Sequence, residues 1–204
     1  MKNLIIVTGG AGFIGSNLIK YLISKTNNEI ISLDNYSSGS KKNHIRSKRV
    51  KYINGDVENI EKLIDKFNKK ISVLFHFGEF SRIHQSFTDI SKCINTNISG
   101  TSKVFNFCLK NKIKIIYSAT SASLGNKGMD QNLSPYSFTK SKNLKLLINL
   151  YKWYGISYEV LYFYNVYGQG HIISGPMATV IGIFEEQYRK NKKLTVVKPG
   201  TQSR

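Results

Sequence analysis

Acidic side chains are scarce in this 204-residue chain: 12 Asp and Glu stand against 30 Lys and Arg, a formal net charge of +18. A concentrated basic face would point to nucleic acid. Here the cations are scattered over helix faces and loops, with modest clusters at Lys41-Lys42, Arg46 to Lys51 and Arg189 to Lys193. The pattern reads as a solvated surface with no nucleic-acid partner, in a field that draws in anionic cofactors and substrates. Cysteine is nearly missing as well. Cys93 and Cys108 fall in one expected helix, 15 residues and more than about 20 Å apart, too far to bridge, so a reduced, cytoplasmic protein is the simplest reading. No apolar run approaches a membrane span, and the one at the start is too short for a secretory signal and runs into glycines. Repeats and low-complexity linkers are absent too. What is left, 204 residues with 41% hydrophobic content, suffices for one α/β core and the beginning of a second lobe.

The chain opens on a strand, Leu4-Ile5-Ile6-Val7-Thr8, that runs directly into Gly9-Gly10-Ala11-Gly12-Phe13-Ile14-Gly15. Gly9 allows a tight turn off the strand, Gly12 lets backbone approach a pyrophosphate, and Gly15 lets the following helix pack close to the sheet. The helix N-terminus around Phe13 and Ile14 then offers unpaired N–H groups and the positive end of a dipole to anionic oxygens. Asp34 lies 19 residues beyond Gly15, at the carboxyl end of the second apolar run, Glu29 to Leu33. Its carboxylate can accept the adenosine ribose hydroxyls and would repel a 2′-phosphate, which favours NAD over NADP. No metal is called for.

Apolar runs alternate with amphipathic segments along the rest of the chain, the pattern of a parallel sheet with helices on both faces. Strands are expected at Val50 to Ile53, Val73 to Phe77, Ile113 to Ser118 and Tyr158 to Phe163, with a short last one at Leu194 to Val197. Helices are expected near 14–25, 58–68, 89–110, 136–153 and 177–191. The fold class is α/β, a Rossmann-type doubly wound parallel sheet. Residues 1–170 would form the dinucleotide-binding domain, and 171–204 only the start of a smaller C-terminal substrate lobe.

Between the fifth strand and the next helix lie Thr120 and then Ser134-Pro135-Tyr136-Ser137-Phe138-Thr139-Lys140. Tyr136 and Lys140 are four apart, which on a helix beginning near Pro135 puts phenol and ammonium on one face. A nearby cation favours an ionised phenol, so the pair can supply a base at neutral pH. Thr120, at the end of the strand, can hydrogen-bond the same substrate oxygen. The alternative is an amphipathic core tyrosine and a surface lysine. His76, following an apolar strand, reads as a satisfied structural residue, and Arg82 and His84 as solvated loop residues.

These pieces resemble the extended short-chain dehydrogenase/reductase family, in its NAD-dependent nucleotide-sugar epimerase/dehydratase branch, over the entire chain. The matching segments are Thr8 to Gly15, Asp34-Asn35, Gly55-Asp56-Val57, His76-Phe77-Gly78, Asn97 to Thr101, Thr120, Tyr136 with Lys140, and Tyr164 to Gly168. The resemblance implies that Asp34, Asn35, Asp56 and Val57 serve the adenosine end, Phe77 and Gly78 the pyrophosphate and ribose, and Asn97 the nicotinamide side. Asn165 and Arg204 match positions that hold a substrate diphosphate. It implies further that Tyr136 takes the proton of a sugar 4-hydroxyl while Lys140 lowers the phenol pKa and holds the nicotinamide ribose. Dehydratases of the branch carry an Asp-Glu pair directly after the catalytic Thr, and decarboxylases a Glu; here Ser121 and Ala122 stand there. That leaves a 4-epimerase, or a simple 4-ketoreductase or dehydrogenase, acting on a nucleotide-diphosphate sugar. Gly78-Glu79-Phe80-Ser81-Arg82 departs from the branch, replacing a run of small residues and placing Glu79 and Arg82 near the site. By the same resemblance most of the substrate lobe would follow Arg204, and helices 89–110 and 136–153 could form a homodimer's four-helix bundle.

Overall fold

Strand β1 (Leu4–Thr8) is buried at every position. Its alternate residues serve opposite faces: Leu4 and Ile6 join a core with Leu33, Leu74, Phe105 and Tyr117, whereas Ile5 and Val7 pack with Ile19 and Ile30 on the other side. An unbroken apolar run of this kind is what a parallel strand covered on both faces requires. Each fully buried side chain, such as Ile6 or Leu74, contributes about 2 kcal/mol. The computed structural model describes residues 3–67, 70–121, 124–175, 178–196 and 198–200.

The remaining strands are β2 (Glu29–Asp34), β3 (Val50–Asn54), β4 (Ile71–His76), β5 (Lys114–Thr120) and β6 (Tyr158–Phe163). They form one all-parallel sheet in the order β3-β2-β1-β4-β5-β6. Strand order reverses between β1 and β4, and Thr8 pairs with His76 at their carboxyl ends. Ligands of doubly wound sheets bind at such a switch point. Helices α1 (Phe13–Lys25), α2 (Ile60–Ile64), α3 (Ile83–Thr88), α4 (Ile90–Ile94), α5 (Thr101–Lys110) and α6 (Pro135–Tyr154) flank the sheet.

Two expected helices are broken. The segment 89–110 is interrupted by a π-helical turn, Asn95–Gly100, between α4 and α5. Periodicity did not reveal it, because the interruption serves the long-range contacts of Asn97 described below. The segment 58–68 is only one α turn, α2, between the 3-10 turns Val57–Asn59 and Asp65–Phe67.

The chain separates into two compact units, 1–164 and 165–204. In the second, α7 (Val180–Arg189) starts on a cap in which the Thr179 hydroxyl accepts from Gly182 N. His171 Nδ1 accepts from Gly168 N, so its proton sits on Nε2, 3.2 Å from Glu185 Oε2. The strand expected at Leu194 to Val197 does not form over 194–196, and Val197 lies outside the described residues. Thr195 instead bonds the Gln187 side chain through both its backbone N–H and its hydroxyl, at 3.1 Å each.

Candidate active site

Gly9 leaves β1 at φ +68°, and a Cβ there would lie 2.7 Å from the carbonyl carbon of Phe77. Gly15 is tighter still: its Cβ would come within 2.2 Å of the Gly9 carbonyl oxygen. The first turn of α1 therefore presses directly on the loop. Helix α1 begins at Gly12 with no side-chain cap and no acidic residue in its first turn, leaving its positive end for an anion from outside. The loop is fixed from below: Ala11 O accepts from Ser40 N at 3.0 Å and Asn43 Nδ2 at 2.8 Å.

Asp34 is buried. Its two oxygens accept from Ala11 N at 2.9 Å and Tyr36 N at 2.8 Å, so the acid read as a ribose acceptor also holds the glycine loop in place. A carboxylate has lone pairs beyond these two bonds. Next to it, Asn35 Nδ2 donates to Asp56 Oδ2, and Asp56 Oδ1 accepts from Glu58 N and caps the turn that begins at the buried Val57. An uncapped helix end, a loop with no room for side chains and a nearby acid together fit a dinucleotide.

Across the switch point, Thr8 Oγ1 accepts from Phe77 N at 3.1 Å and Gly78 N at 3.0 Å. The same oxygen is 2.8 Å from His76 Nδ1, and His76 Nε2 is 2.9 Å from Thr101 Oγ1. Thr101 donates its only proton to Glu79 Oε1. That fixes the sense of the row: Thr8 O–H to His76 Nδ1, His76 Nε2–H to Thr101, Thr101 O–H to Glu79. Burial pushes the His76 pKa down to about 4, Glu79 opposing and Lys140 reinforcing the shift, in keeping with a neutral ring.

Glu79 is the centre of the network. Oε1 also accepts from Tyr117 Oη at 3.2 Å and Asn143 Nδ2 at 3.1 Å, and Oε2 accepts from Lys140 Nζ; Ser118 Oγ, 3.4 Å from Oε2, gives its one proton to His76 O at 2.9 Å. Lys140 donates as well to the Ser118 carbonyl, and its ammonium lies 4.6 Å from the centre of the Tyr117 ring. Both members of the ion pair are buried, at 4% and 3% side-chain exposure. Burial alone would raise the Glu79 pKa; Lys140 and His76 outweigh it, helped by hydrogen bonds from Lys140 and Thr101, and hold the carboxyl below its ordinary value. Burial and then Glu79 push the Tyr117 phenol well above its ordinary range.

Helix α6 starts as its sequence dictates, with Ser134 Oγ accepting from Ser137 N at 3.0 Å and Pro135 in the first turn. Tyr136 is half-buried, and its backbone N donates to the buried Ser86 Oγ at 3.3 Å. Burial lowers the Arg82 pKa, and Tyr136 partly opposes the shift. Thr120 is buried at the carboxyl end of β5.

The structure thus gathers Gly9 to Gly15 with Phe77 and Gly78 at one end, and Lys140 with the Ser118 to Thr120 strand end at the other. Lys140 is no surface residue. Asn97 is wholly buried; its amide accepts from Phe80 N at 2.7 Å and donates to Phe80 O and to Thr139 Oγ1, tying the loop after β4 to α6. Asn165 opens the second unit and is exposed. Arg204 and Ala122 lie outside the described residues. Sequence reasoning missed Tyr117 and Asn143, which carry no motif, and gave no role to Thr8 and Thr101, which lie within matching segments. Glu79 was noticed as an acid in place of a small residue, yet its pairing with Lys140, 61 positions away, has no local signal.

Residues 5–204 match the NAD dependent epimerase/dehydratase family. The chain is 31% identical over 205 residues to an ADP-L-glycero-D-manno-heptose-6-epimerase of Brachyspira hyodysenteriae, covering 95% of this chain and 64% of that protein. UDP-glucose 4-epimerase of Thermotoga maritima, solved with UDP-glucose, matches with a TM-score of 0.86 at 27% identity, over 96% of this chain and 66% of its own. WbmF of Bordetella bronchiseptica, solved with NAD+, matches with a TM-score of 0.88 at 25% identity, over 100% and 64% respectively. The chain therefore spans about two thirds of the length of these relatives. The glycine cradle at the switch point and the match along almost the whole chain lead to one conclusion: this protein belongs to the NAD-dependent epimerase/dehydratase family.

Proposed function

We propose that the chain carries the cofactor site and catalytic residues of an NAD-dependent nucleotide-sugar epimerase acting at C4 through a transient 4-keto sugar. What supports the reading is that Thr120 ends β5, the strand whose Ser118 carbonyl accepts from Lys140, and that Tyr136 stands one turn before Lys140 on α6, in a fold whose glycine loop suits a pyrophosphate. The 4-hydroxyl of the sugar binds between Thr120 and Tyr136. Tyr136 takes its proton as the C4–H bond breaks and the carbonyl forms; reversal on the other face returns the proton from Tyr136 to the oxygen. NAD, which the Gly9 to Gly15 loop and Asp34 would hold, would supply the reversible hydride acceptor for C4. Lys140 supplies the positive charge one turn from the phenol.

Ser121 and Ala122 favour this over dehydration or decarboxylation, since neither supplies an acid or base toward C5 and C6. The test is incubation of the full-length protein and NAD with UDP-glucose and UDP-N-acetylglucosamine, following product stereochemistry and the reduced-nicotinamide absorbance. Epimerised sugar without lasting absorbance supports the reading. Stoichiometric NADH points instead to a dehydrogenase, and tight NAD binding with no turnover of any nucleotide sugar to a binding protein. Tyr136→Phe should still bind NAD but lose at least about 10²-fold in turnover; retained activity removes Tyr136 from its role. A homodimer through 89–110 and 136–153 is part of the same proposal. Phe138, Trp153 and Tyr154 on α6 are exposed, and sedimentation at a doubled monomer mass would support it.

A further inference from the structure

We propose that Glu79 is a positioning residue for Lys140: its carboxylate keeps the buried ammonium charged and pinned to the carboxyl end of β5, where Tyr136 can use that charge. The inference rests on the catalytic role of Lys140 given above.

The geometry is more than an ion pair. Glu79 accepts from four side chains: Thr101 on α5, Tyr117 on β5, and Lys140 and Asn143 on α6. Three of them, Thr101, Tyr117 and Asn143, meet at Oε1, leaving Oε2 to Lys140. Asn143 is itself anchored, donating to Asn97 O at 2.6 Å, and Thr101 is anchored by His76. The carboxylate is therefore fixed by neutral donors from α5, β5 and α6, and Lys140 takes its place against something that does not move. The ammonium is further held by the Ser118 carbonyl and the Tyr117 ring, neither of which carries a charge.

Stability alone does not account for the arrangement. A buried ion pair gains little over apolar residues of similar volume, because desolvation offsets the Coulombic attraction. A lysine nine-tenths removed from water with no counterion gives up its proton. Glu79 is the only carboxylate within hydrogen-bonding reach of Lys140 among the described residues. The other titratable groups facing the pair are His76 from β4, Tyr117 from β5, Cys93 from α4 and Tyr136 from α6. Burial raises both Tyr117 and Cys93, so neither takes the place of Glu79 as an anion near neutral pH. A charged Lys140 thus depends on Glu79.

The experiment compares the NAD-loaded protein with Glu79→Gln and Glu79→Asp. The ε-carbon resonance of Lys140 is followed against pH in protein labelled at lysine and assigned with Lys140→Arg. In Glu79→Gln that resonance should move to its neutral-amine position at least about two pH units below the wild type, within the range that burial imposes on a lysine. Glu79→Asp keeps the charge but draws it back by one methylene, and should lower the transition by a smaller yet measurable fraction of a unit. If Glu79→Gln does not fold, Glu79→Asp still decides, because its withdrawn carboxylate must lower the transition by a measurable fraction of a unit. An unmoved transition in the folded variants overturns the proposal. With UDP-glucose, the alkaline limb of kcat/KM should fall by the same interval in Glu79→Gln while the rate near pH 6 is largely kept. A uniform loss at every pH would mean a structural role only. If UDP-glucose is not turned over at all, the epimerase reading fails, whereas the resonance measurement still judges Glu79.

Discussion

The two ends of the candidate site are built in opposite ways. At the adenosine end, backbone does most of the work: Gly9, Gly12 and Gly15 set the approach of α1, and Asp34 accepts from backbone N–H groups at Ala11 and Tyr36. At the catalytic end the geometry is set by side chains, with Glu79 and Lys140 held by partners from α5, β5 and α6. A backbone cradle needs residues with little side chain at fixed spacings, so it tolerates almost no substitution. A side-chain network needs shape and charge balance, which several residue sets can satisfy.

Lys140→Met tests that difference most strongly. It strands the Glu79 carboxylate in the core and should cost about 3–5 kcal/mol in denaturant unfolding, whereas Lys140→Met with Glu79→Leu should recover most of the loss. A double variant as unstable as the single one would show that the catalytic end is as inflexible as the glycine loop. The next effect belongs to His76. An unfolded histidine binds a proton near pH 6.5, and the buried ring only near 4. Its contribution is present in full above 6.5 and is lost as pH falls toward 4, by about 3 kcal/mol for a shift of that size. Unfolding followed across that window should show the slope, and His76→Gln should flatten it.

At the backbone end, Asp34→Asn keeps one acceptor for Ala11 N but loses the charge toward a ribose hydroxyl. NAD affinity by calorimetry should fall about tenfold, and the melting temperature should drop with it because the Asn nitrogen would face Tyr36 N–H. The smallest effect is Ser134→Ala, which removes the cap of α6 and should cost about 1 kcal/mol of stability. A much larger loss of turnover than of stability would show that the first turn of α6 must be held rigidly for Tyr136 to act.

Sequence reasoning reached the two ends unequally, for the same physical reason. The strand, the glycines and Asp34 lie within 31 residues, and each obeys a local steric or electrostatic rule, so order and spacing announce them. Ser134-Pro135 likewise announced the start of α6, and with it the one-turn spacing of Tyr136 and Lys140. The burial of Lys140 could not be read that way: it depends on Glu79, Tyr117 and Asn143, which meet only after β4, β5 and α6 have assembled. The break in 89–110 was hidden because Asn97 looks like an ordinary helical residue until its bonds to Phe80 and Thr139 are seen. Thr195 shows the converse, a β-branched run that forms no strand and bonds Gln187 instead.

The row from Thr8 through His76 and Thr101 to Glu79 runs in one sense only, because each hydroxyl and the imidazole has a single proton to give along it. It behaves as a hydrogen-bond wire laid across the floor of the site, one end beneath the loop at Phe77 and Gly78 and the other at the counterion of Lys140. Reversing any one bond would leave a donor facing a donor, and separations of 2.8 to 3.0 Å have no room for a water to absorb the mismatch. Thr8, which touches no part of the catalytic helix, is therefore wired to it: Thr8→Val would free His76 to choose its other tautomer and so loosen Thr101 from Glu79, carrying a change in the cofactor loop to the residue that holds the lysine.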